Sequence, residues 1–491
     1  MTHDIEMIRM KCLLATCCIT LFFLTSKAQT GPLYTYQQLS KDFYSKQKDS
    51  LKKAWLCPVI YKNKETQKKY KEIWDSRTDF ITGAIDDQNY VYEPELYNYL
   101  QGIVKQIARA NPKEFPVMPL VLIDRSASPN AYASGGNILS INLGLIDFSR
   151  SREEIALVMA HELSHNILDH TDGVMKGRAE WLTSDEYKKK LNSVLDSKYE
   201  RYTRLQKIYQ GYKFNRSRHQ RYHENEADSL AIVLLKKSNI RFTADFFLRL
   251  DSADIQYRQP LKKPLPDYFA AYKLTAEDMW MQKRSKGLSS RNYNFRDTTG
   301  IADSLRTHPD CIERYKRTKA LTDKDIKLTP IPANIREKTT KMLLWNMYTN
   351  MNLTECLYRI MLEKDRGKTD VWYDFMVYNV FAGLYYNDRE LNRFNAISIT
   401  PKEFISKDYY QLQNMLEQMP RESLEQYVTT LQKADFWNRS TTDEKALKGL
   451  LYTLALDPNS TQKYRYSAAD DFIRNNSASM YREFAEYFKK K

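Results

Sequence analysis

Cysteine is scarce in this chain and poorly placed for a scaffold. Six occur in 491 residues, and Cys12, Cys17 and Cys18 crowd into the first eighteen. Cys57, Cys311 and Cys356 remain, widely separated, so at most one bridge and one free thiol can form. A disulfide framework is excluded, and so is a cysteine-based zinc site, because none stands at ligand spacing. Long apolar runs are also missing. Beyond residue 28 no stretch reaches the roughly 18 residues that span a bilayer, and a mean hydropathy of −0.64 with 28% charged residues describes a water-exposed chain. Its length predicts two or three domains. Histidine is rare, at seven residues.

The net charge of +15 favours anionic surfaces in general and leaves peripheral membrane contact open. No nucleic-acid motif accompanies it, so nucleic acid is not an expected partner. In stretches such as 184–207 the basic residues alternate with acids, the pattern of a solvated helix face. Residues 1–28 read as a secretory signal, with Arg9 and Lys11 flanking an apolar core at 12–24 and Ser26-Lys27-Ala28 as a small-x-small cleavage site. The mature protein is thus expected outside the cytoplasm, periplasmic or secreted. A lipoprotein reading at Cys17 fits less well, because the apolar run continues past it.

Against this spare background stands HELSH at 161–165. Residues i and i+4 of a helix share a face, so His161 and His165 can reach one metal, while Glu162 can take a proton from water. Ser151 and Glu154 form a capping-box pattern, and Glu153 and Glu154 suit a helix N-terminus, so a helix is expected from about Arg152. Its apolar residues Ile155, Leu157, Val158, Met159 and Leu163 surround most of the circumference, which predicts burial. A hydrolytic zinc site needs a third protein donor. The metzincin pattern is absent, since Leu168 and Thr171 stand where its Gly and third His belong. RYHENEADSLAIVLL at 221–235 offers an alternative: a helix with an Ala227, Leu230, Ala231, Leu234 and Leu235 stripe that carries Glu224 and Asp228 one turn apart. Glu224 can supply the third donor and Asp228 can orient an imidazole, His161 by choice. Glu226 reads as a solvated surface residue, and His170, His219 and His223 as structural.

NAYASGGNILSINLGLIDF, HELSH, ENEAD and THPD at 307–310, in that order over residues 90–320, resemble the gluzincin family of CAAX prenyl endopeptidases. Bacterial heat-shock membrane proteases and soluble periplasmic metallopeptidases also belong to that family. The resemblance implies an α+β, mainly helical fold with a small sheet, and one Zn2+ per chain held by His161, His165 and Glu224. It further implies Glu162 as catalytic base and peptide or protein substrates. Membrane members have several spanning helices and this chain does not, so prenylated substrates and intramembrane cleavage are not implied.

In the upstream block, Gly135 and Gly136 permit a tight turn and 137–142 alternates like a half-buried strand. An exposed strand edge there can pair with an extended substrate, which makes Asn130, Ala131, Ile138 and Ser140 substrate-binding candidates, although a purely structural hairpin explains the same residues. His308, extended by the following Pro309, can donate to an oxyanion, block the metal, or cap a local turn. A helix is expected over Pro94 to about Ala110, a strand over Leu120–Ile123, and a helical insertion near 183–210 opened by Thr183 and Glu186. The stretch 283–300 reads as a loop and 327–338 as a linker. The division is therefore a signal at 1–28, a helical segment at 29–89, a metallopeptidase domain at 90–325 and an α-helical domain at 335–491. The last is an aromatic-rich bundle or a weak repeat array suited to protein partners. Two functions remain open: a zinc metalloendopeptidase of envelope quality control, or a chaperone-like binding module with a silent, autoinhibited site.

Overall fold

The computed structural model describes residues 36–87, 89–251, 259–282, 311–324, 326–456 and 462–489, without the side chains of 36–42, 54, 209–221 and 462–464. The expected signal at 1–28, the loop at 283–300 and His308 with the rest of its THPD block lie outside the described residues, as does the side chain of His219. Helices α1 (Tyr36–Ala54), α2 (Lys64–Asp86) and α3 (Pro94–Ala110) precede strands β1 (Leu120–Asp124), β2 (Ala131–Ala133) and β3 (Ile138–Asn142). There follow α4 (Leu143–Phe148), α5 (Arg152–Ile167), α6 (His170–Thr183), α7 (Asp185–Leu195), α8 (Arg201–Lys237), α9 (Asp245–Asp251), α10 (Leu265–Ala270), α11 (Asp278–Met281) and α12 (Cys311–Thr318). The remainder is helical, from α13 (Ala333–Thr349), α14 (Leu353–Asp365) and α15 (Val371–Arg389) onward. This is the mainly helical α+β architecture expected, and among the described residues no helix is long and apolar enough to cross a membrane.

Local signals place several elements where the sequence predicts them. Pro94 opens α3, where its missing N–H costs nothing, and the Glu93 carboxylate accepts from the Leu96 amide at 2.7 Å. Ser151 caps α5 by accepting from the Glu154 amide at 3.2 Å. The Glu154 carboxylate in turn accepts from the Arg150 amide and pairs with Arg249, which holds the start of α5 from outside. The helical insertion expected near 183–210 opens one residue later than its Thr183 cap predicts. α6 continues to Thr183, whose hydroxyl is spent on the Ala179 carbonyl, so Ser184 rather than Thr183 caps the next helix.

The sheet has the order β1-β3-β2, with β1 parallel and β2 antiparallel to β3. One face, carrying Val121, Ile123, Leu139 and Ile141, joins the main core, and the other, carrying Leu122 and Ile138, packs under Tyr44, Ile81 and Tyr90. All five residues of β3 are therefore buried, which corrects the half-buried strand read from its alternation. Of the polar positions, Asn142 donates to the Ser128 carbonyl at 3.2 Å.

The β2–β3 turn needs its glycines. Gly135 and Gly136 have φ of 77° and 56°, and a Cβ on Gly136 would stand 1.9 Å from the Trp55 indole nitrogen. Arg77, stacked 4.4 Å from Trp55 and 4.1 Å from Trp74, pairs with Asp172 at 3.1 Å and ties α2 to α6 beside this turn. The segment expected as a linker is docked: the Thr329 carbonyl accepts from Arg152, its amide donates to Glu153, and α13 begins at Ala333. One contiguous apolar cluster runs from Val91 to Ala485. Across it, the Asp147 carboxylate at the end of α4 pairs with Arg359 of α14 and accepts from Thr340 of α13.

Candidate metal centre

α5 and α8 pack along each other and bring His161, His165 and Glu224 together, with one donor atom of each within 4.8 Å of the others. Nε2 of His161 lies 3.2 Å from Nε2 of His165 and 3.2 Å from Oε2 of Glu224, and Nε2 of His165 is 3.4 Å from Oε1 of Glu224. A tetrahedral zinc site with metal–ligand bonds of about 2.0–2.1 Å has ligand–ligand edges of about 3.3 Å. The three spacings agree with that figure.

The far sides of the imidazoles explain why these atoms converge. Nδ1 of His161 is 3.0 Å from Oδ1 of Asp228, a carboxylate that accepts its proton. Nδ1 of His165 is 2.9 Å from Nδ1 of His170. When both Nδ1 atoms donate in this way, both Nε2 atoms present lone pairs to each other and to Glu224. Three acceptors at such spacing repel unless a cation or proton sits among them. The donor set thus fits a resident divalent metal.

Electrostatics agree. Burial disfavours charge on His161 and Arg314 adds to that effect, but hydrogen bonds to Asp228 and Glu224 outweigh both and raise its pKa to about 9. In the absence of a metal, the centre holds a proton instead. Burial alone would push the Asp228 carboxyl up, whereas Arg314 and His161 hold it well below the usual carboxylate range.

Asp228 is itself gripped. Arg314 of α12 donates through Nε at 3.0 Å and Nη2 at 2.5 Å, and Arg317 adds a contact at 2.7 Å. The Arg314 guanidinium lies over Phe247 at 4.4 Å. No spacing signal marks Arg314, which is 86 residues from Asp228.

Glu162 lies outside the metal-donor trio, next to His161 on α5, and its Oε2 accepts from the Ala133 amide at 2.9 Å. This ties the candidate base to β2 and corrects the placing of the substrate edge. Ile138 and Ser140 belong to β3, which pairs on both sides, so neither has main chain free for an extended peptide. Of the two edge strands, β2 is the one that meets Glu162. Because Asn130, Tyr132 and Ser134 face β3 partners, the main-chain groups of Ala131 and Ala133 turn outward. Ala131 is buried and Ala133 partly exposed.

Two residues without a motif, His170 and Glu226, meet behind His165. His170 is buried against His165, and Glu226, read as surface charge, has Oε2 3.3 Å from Nε2 of His170. His223 stacks on His170 with ring centroids 4.1 Å apart. The available signal was a third His five residues past the motif, immediately after Asp169.

Residues 94–322 match the model of peptidase family M48. This stretch, slightly under half the chain, opens with α3 and closes just past α12, so it contains every residue of the centre. The match supports metallopeptidase activity, a peptide hydrolase in general terms. A search of curated proteins found no match.

Proposed function

We propose that the chain is an exported zinc metalloendopeptidase that cleaves unfolded or misassembled proteins in the cell envelope. The observation that carries this reading is the convergence of His161, His165 and Glu224 at tetrahedral spacing, with Glu162 beside them on the same helix. When bound, zinc supplies Lewis-acid charge that polarises a peptide carbonyl and acidifies water. The chain's own residues do the rest. Asp228 and His170 hold the two imidazoles with their Nε2 lone pairs inward. Glu162, aimed by the Ala133 amide, takes the proton of the attacking water and passes it to the leaving amine. An extended substrate lies along the edge strand β2 beside Glu162, with the Ala133 amide kept for Glu162. Residues 335–491 select or retain protein partners through their helices.

A second reading has an observation in its favour. His161, Glu162 and Glu224 are 3%, 4% and 7% exposed, which suits a latent centre that opens only on binding and a chaperone-like role when closed. Metal analysis of the purified mature chain, together with chelator-sensitive cleavage of an unstructured protein, separates the two. One zinc per chain with chelator-sensitive cleavage supports the peptidase, and one zinc without cleavage supports the latent module.

A further inference from the structure

We propose that His170, backed by Glu226, is a positioning residue for His165: an imidazole–imidazole–carboxylate relay that sets the tautomer and ring orientation of the second metal donor. This rests on the metal-centre reading above.

Proton positions follow from geometry. For Nε2 of His165 to face His161 and Glu224 with a lone pair, its proton must be on Nδ1. The atom 2.9 Å from that Nδ1 is Nδ1 of His170, which must therefore accept. The His170 proton is then on Nε2, 3.3 Å from Oε2 of Glu226. Donation runs in one direction, from His165 to His170 to Glu226, with no atom asked to donate twice. The centre is thereby symmetric in logic: His161 is backed by a carboxylate directly, and His165 by a carboxylate through a second imidazole. Metal-binding histidines are generally fixed through their other nitrogen in this way.

The backbone is shaped to deliver His170. α5 ends at Ile167, and Asp169 adopts φ 53° and ψ 27°, a left-handed conformation that Asp tolerates better than most residues. That single residue reverses the chain so that His170, the first residue of α6, returns over His165 at a ring-centroid distance of 4.9 Å. His223 then stacks on His170 with an interplanar angle of 11°, which fixes the plane in which both nitrogens point. His223 and Glu226 are three apart on α8 and share a face, so one helix supplies both the wall and the terminal acceptor.

The test uses the full mature chain and three variants. His170→Ala removes the acceptor. His170→Asn places an amide oxygen near the position of Nδ1, and Glu226→Gln keeps an acceptor without the charge. Zinc affinity is measured by competition with a chromogenic chelator, the cobalt-substituted absorption spectrum reports donor geometry, and the melting temperature of the chelated protein reports folding. His170→Ala should weaken zinc binding by about 10- to 100-fold and shift the cobalt bands. His170→Asn should recover most of the affinity and the spectrum, and Glu226→Gln should cost only a few-fold. Wild-type affinity and spectrum in His170→Ala, or an Asn variant as weak as Ala, overturns the relay. A wild-type chain that binds no zinc overturns the metal-centre reading itself, before any variant is compared.

Discussion

Replacing Asp228 by Asn should damage the protein in two separable ways. The side chain is 1% exposed and Arg314 4%, so solvent does not screen their interaction. Asn offers one acceptor oxygen, but its NH2 group confronts guanidinium donors, and Arg314 is left with an uncompensated buried charge. Removing one member of a buried pair costs about 3–5 kcal/mol. Arg317, at 36% exposure, can turn to water and adds no more than about 1 kcal/mol. His161 separately loses the carboxylate on its Nδ1, which should weaken zinc binding by about 10- to 100-fold, or about 1.4–2.7 kcal/mol.

A second substitution parts the two effects. Adding Arg314→Met removes the stranded charge while keeping an apolar side chain against Phe247. Denaturant unfolding in the presence of chelator should then return to within about 2 kcal/mol of wild type, the residual including the lost cation–π contact. Zinc affinity, measured by chelator competition, should stay low, because the carboxylate on His161 is still missing. If the double variant regains wild-type affinity, Asp228 acts by anchoring α12 and not by orienting His161. If the single variant unfolds at the wild-type denaturant concentration, the buried-pair reasoning fails.

Other consequences can be checked directly. Glu162→Gln should keep its metal within a few-fold and lose cleavage by about 100-fold or more; metal loss measured by atomic spectroscopy contradicts the assignment. The raised His161 pKa of about 9 means that its protonated form stabilises the metal-free fold fully below about pH 6.5 and that this contribution is lost as pH rises through about 9. Zinc must displace that proton, so zinc affinity should climb with pH up to about 9 and binding at pH 7.5 should release close to one proton, read by calorimetry in buffers of different ionisation enthalpy. Asp147→Ala should cost about 3 kcal/mol by denaturant unfolding, since it removes the carboxylate that the mostly buried Arg359 meets between the two halves of the core. His308→Ala should lower turnover by about 100-fold if it serves the oxyanion and raise it if it blocks the metal; an unchanged rate leaves a local turn role.

What the sequence made legible is local. HELSH, the ENEAD helix, the bounds of α3, the Ser151 cap and the glycine turn each lie within a single helix or turn, where periodicity and capping act. β3 departs from its sequence pattern because Ser140 and Asn142 look solvent-facing, yet both are buried and Asn142 serves the Ser128 carbonyl. The sequence could not show that Tyr44 and Ile81 cover that face. Arg314 was invisible for a related reason: a buried arginine acquires meaning only from the carboxylate it meets, here 86 residues away.

The α8 helix shows where local reading stops. HENEAD contains two interleaved pairs, Glu224 with Asp228 at i,i+4 and His223 with Glu226 at i,i+3, each sharing a face. The first pair had an obvious target in HELSH, so it was assigned. The second faces a different direction and reads as solvated until α6 is known to double back, which depends on a left-handed Asp169 that no glycine announces. Once that reversal is in place, the same helix addresses both imidazoles: Asp228 directly behind His161, and Glu226 behind His165 by way of His170. A rotation of α8 that improves one contact must therefore disturb the other.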